Sequence, residues 1–247
     1  MLKIPKIEEL MEAGVHYGHQ TRRWNPKMGK FIFSQSSGVH IIDLEKTEKQ
    51  IKEATEFIKE VGKRGGEVIF LATKKQAAEI IKQEAERAGA MYLTQRWLGG
   101  LLTNFDSVRK NIEKLGNLEN KLKNAEGTGY TKKEKLLIER EINKLNRVIG
   151  GIRHLSKLPD TIFIIDSKRE DNAVREAQKM NVPVVALVDT NADPTKVTYP
   201  IVANDDAIKS ISMLVKVIAD AYKEGRAFWE KKSQEKKGVE EKAEAVA

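Results

Sequence analysis

Three short, nearly unbroken apolar runs constrain the fold of this chain more than any other feature: Glu67–Thr73 (EVIFLAT), Thr161–Ile165 (TIFII) and Val184–Val188 (VVALV). A strand that is apolar without alternation must be covered on both faces, which is the situation of a parallel sheet flanked by helices. Helical patterns follow the first two runs, at Lys74–Ala88 and Glu170–Met180, and an amphipathic helix at Leu44–Gly62 precedes them. Ala90–Leu93 and Tyr199–Ala203 read as further strands, and Ala207–Phe228 as a long closing helix. This alternation of strand and helix predicts one doubly wound parallel sheet, with ligands expected beyond the carboxyl ends of its strands.

The rhythm breaks once. In Phe105–Lys123 the residues Val108, Ile112, Leu115, Leu118 and Leu122 recur at three-to-four spacing, and in Lys132–Ser156 Ile138, Ile142, Leu145, Ile149 and Ile152 alternate four and three. That is a heptad seam. With Asn124–Tyr130 as the connecting loop, the pattern predicts two paired helices, each roughly 27 Å long at 1.5 Å per residue. The expected fold class is therefore α/β: a doubly wound, flavodoxin-like, mainly parallel sheet with an inserted antiparallel coiled-coil helical hairpin. The expected division is 1–104 and 157–228 for the two parts of the α/β domain, 105–156 for the insertion, and 229–247 for a disordered or frayed tail.

Composition narrows the function. The chain of 247 residues has no cysteine, which excludes disulfides, thiolate metal sites and a cysteine nucleophile, and fits a cytoplasmic setting. No run of 18 apolar residues is present, and MLKIPKIEELMEAG lacks the apolar core of a secretory signal, so no membrane association is expected. The formal charge is +8. From Trp229 onward five lysines offset five glutamates, so the excess lies in the folded body and favours a polyanionic partner.

Three basic clusters are candidates for that contact. In Val15–Lys30, Arg22, Arg23, Lys27 and Lys30 are interleaved with aromatics, including Trp24, in a segment that Asn25-Pro26 keeps from being helical. In Leu93–Phe105, Arg96 offers a phosphate fork and Trp97 a stacking face, Gly99-Gly100 permits a tight turn, and Asn104 and Arg109 lie at the start of the next helix. A structural turn with Trp97 in the core is the alternative there. Lys74 and Lys75, at a strand-to-helix turn, and Lys168 and Arg169, at another, form the third cluster. The first of these turns has no glycine, which disfavours a nucleotide cradle.

An enzyme reading is the competitor. Asp166, Asp189, Asp193, Asp205 and Asp206 fall at strand ends, where a flavodoxin-like or receiver-like enzyme or switch would hold Mg²⁺. The same residues suit turns and helix caps, and that is the reading adopted. His16 and His19 are three apart with no third ligand near in sequence, and His40 falls within a strand, so neither a metal nor a cofactor is expected. GxSxG and HExxH motifs are absent.

Several runs carry a resemblance. Gln95–Phe105 (QRWLGGLLTNF), Gly14–Lys30 (GVHYGHQTRRWNPKMGK), Val39–Thr47 (VHIIDLEKT), Leu158–Asp166 (LPDTIFIID) and Asp189–Asp206 together resemble the bacterial small-subunit ribosomal protein two family, in order, from residue 10 to about 228. The resemblance implies a non-enzymatic structural constituent of the small ribosomal subunit. Its partners would be 16S-type rRNA and neighbouring small-subunit proteins, with no homo-oligomer. It further implies late joining between head and body, recruitment of the large mRNA-binding ribosomal protein, and a helical hairpin placed like the family's projecting domain.

Overall fold

The computed structural model describes residues 3–124 and 130–244, with side chains as far as Glu235. In chain order its elements are α1 (Ile7–Glu12), β1 (Tyr17–Gln20), β2 (Ile32–Ser36), β3 (Val39–Ile42), α2 (Leu44–Lys63), β4 (Val68–Leu71), α3 (Lys75–Ala88), β5 (Met91–Leu93), α4 (Phe105–Lys123), α5 (Lys132–Ile149), β6 (Thr161–Ile165), α6 (Asp171–Lys179), β7 (Val184–Val188), β8 (Tyr199–Val202) and α7 (Ile208–Glu244). The strands β4 to β8 form one parallel sheet in the order β5-β4-β6-β7-β8. This is the flavodoxin-like order, in which the chain leaves β4 for one edge and then returns to its other side. The switch point lies between the carboxyl ends of β4 and β6.

Both faces of the sheet are covered, as the unbroken apolar runs require. Val68, Phe70, Phe163, Ile165, Val185 and Leu187 face a core shared with α1, α2, α3 and α7. Their neighbours Ile69, Leu71, Ile162, Ile164, Val184 and Ala186 face a second core shared with α4, α5 and α6. Adjacent residues thus serve opposite layers, the period of a pleated strand.

A small antiparallel sheet, ordered β1-β3-β2, precedes the α/β body. β2 and β3 meet at Ser37 and Gly38, whose φ values of +50° and +76° make a two-residue turn of the kind that matches strand twist. The sequence predicts that hairpin at Gln35–Gly38, but for Val15–Lys30 it says only that Asn25-Pro26 keeps the segment from being helical. In the structure Tyr17–Gln20 is a strand, recruited by pairing with β3 because YGHQ has no alternation of its own.

The helices predicted from the seam are present as α4 and α5. Val108 and Leu115 are buried on one, Ile142 and Ile149 on the other, and Lys114 pairs with Glu141 between them. The second helix ends earlier than predicted, at Ile149, because Gly150–Ile152 tightens to a 3₁₀ turn laid against β5. A Cβ on Gly151 would stand 2.2 Å from the Tyr92 carbonyl oxygen, so only glycine lets that turn approach. Of the loop predicted at Asn124–Tyr130, residues 125–129 lie outside the described residues.

α7 stays helical to Glu244, beyond Phe228, where the sequence suggests a closing helix giving way to a disordered or frayed tail. Two contacts accompany the continuation. The Trp229 ring covers Gly65, and the Arg226 guanidinium lies 4.8 Å from the centre of that ring. No helix among the described residues is long and apolar enough to cross a membrane.

Candidate nucleic-acid interface

The turn after β5 is built around one carboxylate. Glu176, on α6, accepts at Oε1 from the Trp97 indole N–H (3.0 Å) and the Gly100 amide (2.8 Å). At Oε2 it accepts from the Leu102 amide (3.2 Å), the Thr103 amide (3.4 Å) and the Thr103 hydroxyl (3.2 Å). Leu101 and Leu102 plug into the core beneath, and Gly100 takes φ +85° to turn the chain. Burial works against the charged carboxylate, but the bonds from Gly100, Trp97, Leu102 and Thr103 outweigh it and hold the group below its ordinary range. Trp97 is therefore a half-buried structural residue with its polar edge engaged, the alternative that the sequence leaves open.

The same turn leaves Arg96 exposed. It shares a cleft with Gln95, Asn143, Lys144, Arg147 and Val148, so two cations of α5 join it that sequence reasoning missed. Asn104 and Arg109 are also exposed. Asn104 accepts from the Ser107 hydroxyl, and Arg109 pairs with Glu113 one turn on.

The N-terminal basic segment is laid over the carboxyl end of β7. The His19 amide donates to Thr190 Oγ1 and the Asn25 amide to the Thr190 carbonyl, both at 2.8 Å. Arg22 and Arg23 project from the short turn Thr21–Arg23, and Trp24 stands beside the His40 ring with centroids 5.1 Å apart. Lys30 sits over the Phe31 ring, whereas Lys27 is paired with Asp193 at 2.6 Å. Burial opposes ionisation of Asp193, yet the bonds from Lys27 and Thr195 pull it down to about 2.

Arg23 lies in one cleft with Lys168 and Arg169, which follow β6. Sequence spacing makes these two separate patches, and folding makes them one. Arg169 is further fixed by donating to Thr73 Oγ1 at 2.8 Å.

The third predicted cluster divides. Lys75 is exposed at the first turn of α3. Lys74 is drawn inward instead, donating to Asp205 Oδ1 and Asp206 Oδ1, each at 2.7 Å, and to the Asp205 carbonyl at 2.8 Å, with Asp166 at 3.5 Å. Burial disfavours its charge, but these carboxylates more than compensate and raise its pKa. An ammonium held this way is a structural ion-pair partner and is not presented to an external phosphate.

Asp205 is itself fully buried. Burial and then the neighbouring charges of Asp189 and Asp166 push it up to about 7, against the pull of Lys74. His19 rises through its bond to Asp189, against burial. His16, an odd number of residues away along extended chain, packs on Tyr17 and takes no part. Of the strand-end carboxylates, Asp193 does cap a turn, accepting from the Thr195 amide. Before α7 the capping falls to Asn204, whose Oδ1 accepts from the Asp206 and Ala207 amides.

Comparison with known proteins agrees with this architecture. Residues 10–225 match the family described as Ribosomal protein S2. The chain is 50% identical over 226 residues to the small ribosomal subunit protein uS2 of Thermobifida fusca (strain YX), covering 91% of this chain and 77% of that one. It is 49% identical over 227 residues to the protein of the same name from Fusobacterium nucleatum, covering 91% of each, and 50% identical over 224 residues to that of Mycobacteroides abscessus, covering 91% and 81%. With the family matched across nearly the whole fold, the chain belongs to the ribosomal protein S2 family.

Proposed function

We propose that this chain is a structural constituent of the small ribosomal subunit in the cytoplasm, binding folded rRNA chiefly through Arg22, Arg23, Lys168 and Arg169. The observation that carries the reading is the convergence of Arg23, Lys168 and Arg169 in one cleft, in a chain of this family. Arg planes and lysine ammoniums neutralise backbone phosphates, and Trp24, 39% exposed, offers a face for an unstacked base. Arg96, Lys144 and Arg147 supply a second cationic surface, and Lys75, Lys30, Asn104 and Arg109 are exposed as further contact residues. Lys74 and Lys27 are left out because carboxylates engage both. The family is structural and non-enzymatic, which removes the Mg²⁺-dependent enzyme as a competing reading.

In this proposal residues 105–156 form an antiparallel coiled coil that meets subunit neighbours. Recruitment of the large mRNA-binding ribosomal protein follows from the family resemblance. Particles with and without the chain, compared for retention of that protein, test this last step.

The rRNA contact is tested with purified chain and small-subunit particles stripped of it, titrated across salt with tRNA as control. Saturation at one copy per particle is expected, with a large preference over tRNA. Replacing Arg23, Lys168 and Arg169 together with alanine should lower the slope of log K against log salt by roughly 2, since each phosphate contact contributes about 0.7–0.9. An unchanged slope would remove this cleft from the interface.

A further inference from the structure

A small cavity beside the cleft of Arg23, Lys168 and Arg169 contains two polar atoms that the fold leaves without partners. It measures about 300 Å³ and lies between the turn after β6, the start of α6 and the loop after β7. Ser167, only 6% exposed, lines it, and its hydroxyl has no hydrogen-bond partner among the described residues. Asn191 lines it too, and its buried Oδ1 is likewise unpartnered. A stranded buried donor or acceptor destabilises the free protein. Two of them on one cavity point to a ligand that completes them.

The remaining walls narrow the ligand. Val174 and Ala192, both buried, supply apolar surface. Asp171 and Asp193 also line the cavity, but each is already paired, with Lys196 at 2.8 Å and Lys27 at 2.6 Å. Such walls suit a neutral group with flat apolar faces and a polar edge. Asn191 Oδ1 only accepts, so that edge must bring a donor, while the Ser167 hydroxyl can give or accept. The volume is at the small end of the range for ligand sites, about 300–1,000 Å³, and excludes anything bulky. Lys168 and Asn191 line this cavity and the cleft of Arg23 and Arg169 alike, so the two open into one another.

We infer that the cavity receives one nucleobase turned out of its stack, whose phosphate lies in the adjoining cleft of Arg23, Lys168 and Arg169. An unstacked base hydrogen-bonded along its edge is the usual form of sequence-specific RNA recognition. The phosphate contacts fix register, and the base contact adds discrimination. The site rests on the rRNA reading above and adds to it a contact made by shape and hydrogen bonds, without charge.

The first test is a titration of ¹⁵N-labelled full-length chain with 5′-AMP, chosen because asparagine matches an edge of adenine, beside ribose 5-phosphate. Both should shift the amides of Lys168 and Arg169, and only 5′-AMP those of Val174, Asn191 and Ala192. The second test is binding to stripped small-subunit particles. Ser167→Ala and Asn191→Ala together should weaken it about tenfold, with the salt slope unchanged, because a neutral contact releases no counterion. Ser167→Ala removes a stranded hydroxyl, so its melting temperature should match or exceed that of wild type, which a structural hydroxyl would not allow. Equal shifts from the two phosphates, or particle binding by the double variant as tight as wild type, overturns the base site and leaves ordered water on Ser167 and Asn191. A lowered slope in the triple variant of Arg23, Lys168 and Arg169, with full affinity in the double variant, strikes the base and keeps the phosphate cleft. If that slope is unchanged the cleft itself fails, and the 5′-AMP titration still decides the cavity.

Discussion

Glu176→Ala should lower the melting temperature of the isolated chain by roughly 6–12 °C, a large effect for a charged residue outside the core. The reason is that one carboxylate serves five donors, three of them backbone amides of a turn whose leucines are buried. Removing it strands those donors at about 1–3 kcal/mol each where water cannot replace it. Glu176 is only half-buried and water recovers part of the loss, so about 3 kcal/mol is expected, and each kcal/mol is worth about 2–4 °C in a chain of this size. Glu176→Gln retains one acceptor oxygen and should cost roughly half as much. Melts of the three proteins by circular dichroism check the ranking, and a variant pair indistinguishable from wild type would refute the anchor role.

The same anchor predicts a pH dependence. Burial resists ionisation of Glu176, but the four sets of bonds outweigh it, so its folded pKa lies below the unfolded value near 4.5. The unfolded state therefore binds the proton more readily. The stabilisation is complete above about pH 4.5 and is lost as pH falls through the depressed folded pKa. Between pH 6 and 8 the stability gap between wild type and Glu176→Gln should be constant. Below pH 4.5 it should shrink, and a gap that widens on acidification would contradict the assignment.

Glu176 also shows where sequence reading reaches its limit. QRWLGGLLTNF stands out locally, and the need for glycine at 100 follows from its positive φ. The residue that holds the turn is 79 positions from Trp97, on a helix where a glutamate looks like an ordinary surface charge. The sheet was readable because Val68–Leu71 and Val184–Val188 must be buried on both faces, whatever their partners. The site was readable only as far as chemistry is local. Lys74 looks like an anion-binding lysine until Asp205, 131 residues on, arrives to bond it. Arg23 and Lys168 become one cleft only when β1 lies across the ends of the parallel strands. The strand β1 carries no pattern of its own, so the placement of His19 against Asp189 was equally invisible.

The second large effect concerns two glycines in mid-helix, for which substitution by alanine should act in opposite directions. Alanine is favoured over glycine inside a helix by about 1 kcal/mol. At Gly116 in α4 nothing lies within 4 Å of a new Cβ, so Gly116→Ala should gain up to that amount and raise the melting temperature. At Gly225 in α7 a Cβ would stand 2.3 Å from the Lys59 carbonyl oxygen and 3.0 Å from the Gly62 Cα. Gly62 meets the same crossing from α2, where its own Cβ would lie 2.8 Å from the Tyr222 carbonyl oxygen. These obstacles are backbone atoms, which cannot swing aside as a side-chain end does. The helices must separate, and with them Ile58, Val61, Ala221 and Tyr222, all buried along that contact. Overpacking of this kind costs about 1–3 kcal/mol and sometimes more. With backbone atoms as the obstacle the upper end of that range applies, so net of the helix gain Gly225→Ala should lose about 2 kcal/mol, a fall of roughly 4–8 °C. Thermal melts of the two variants beside wild type decide the matter: if Gly225→Ala stabilises as Gly116→Ala does, α2 and α7 do not cross at contact distance, and the layer that covers this face of the sheet is packed differently.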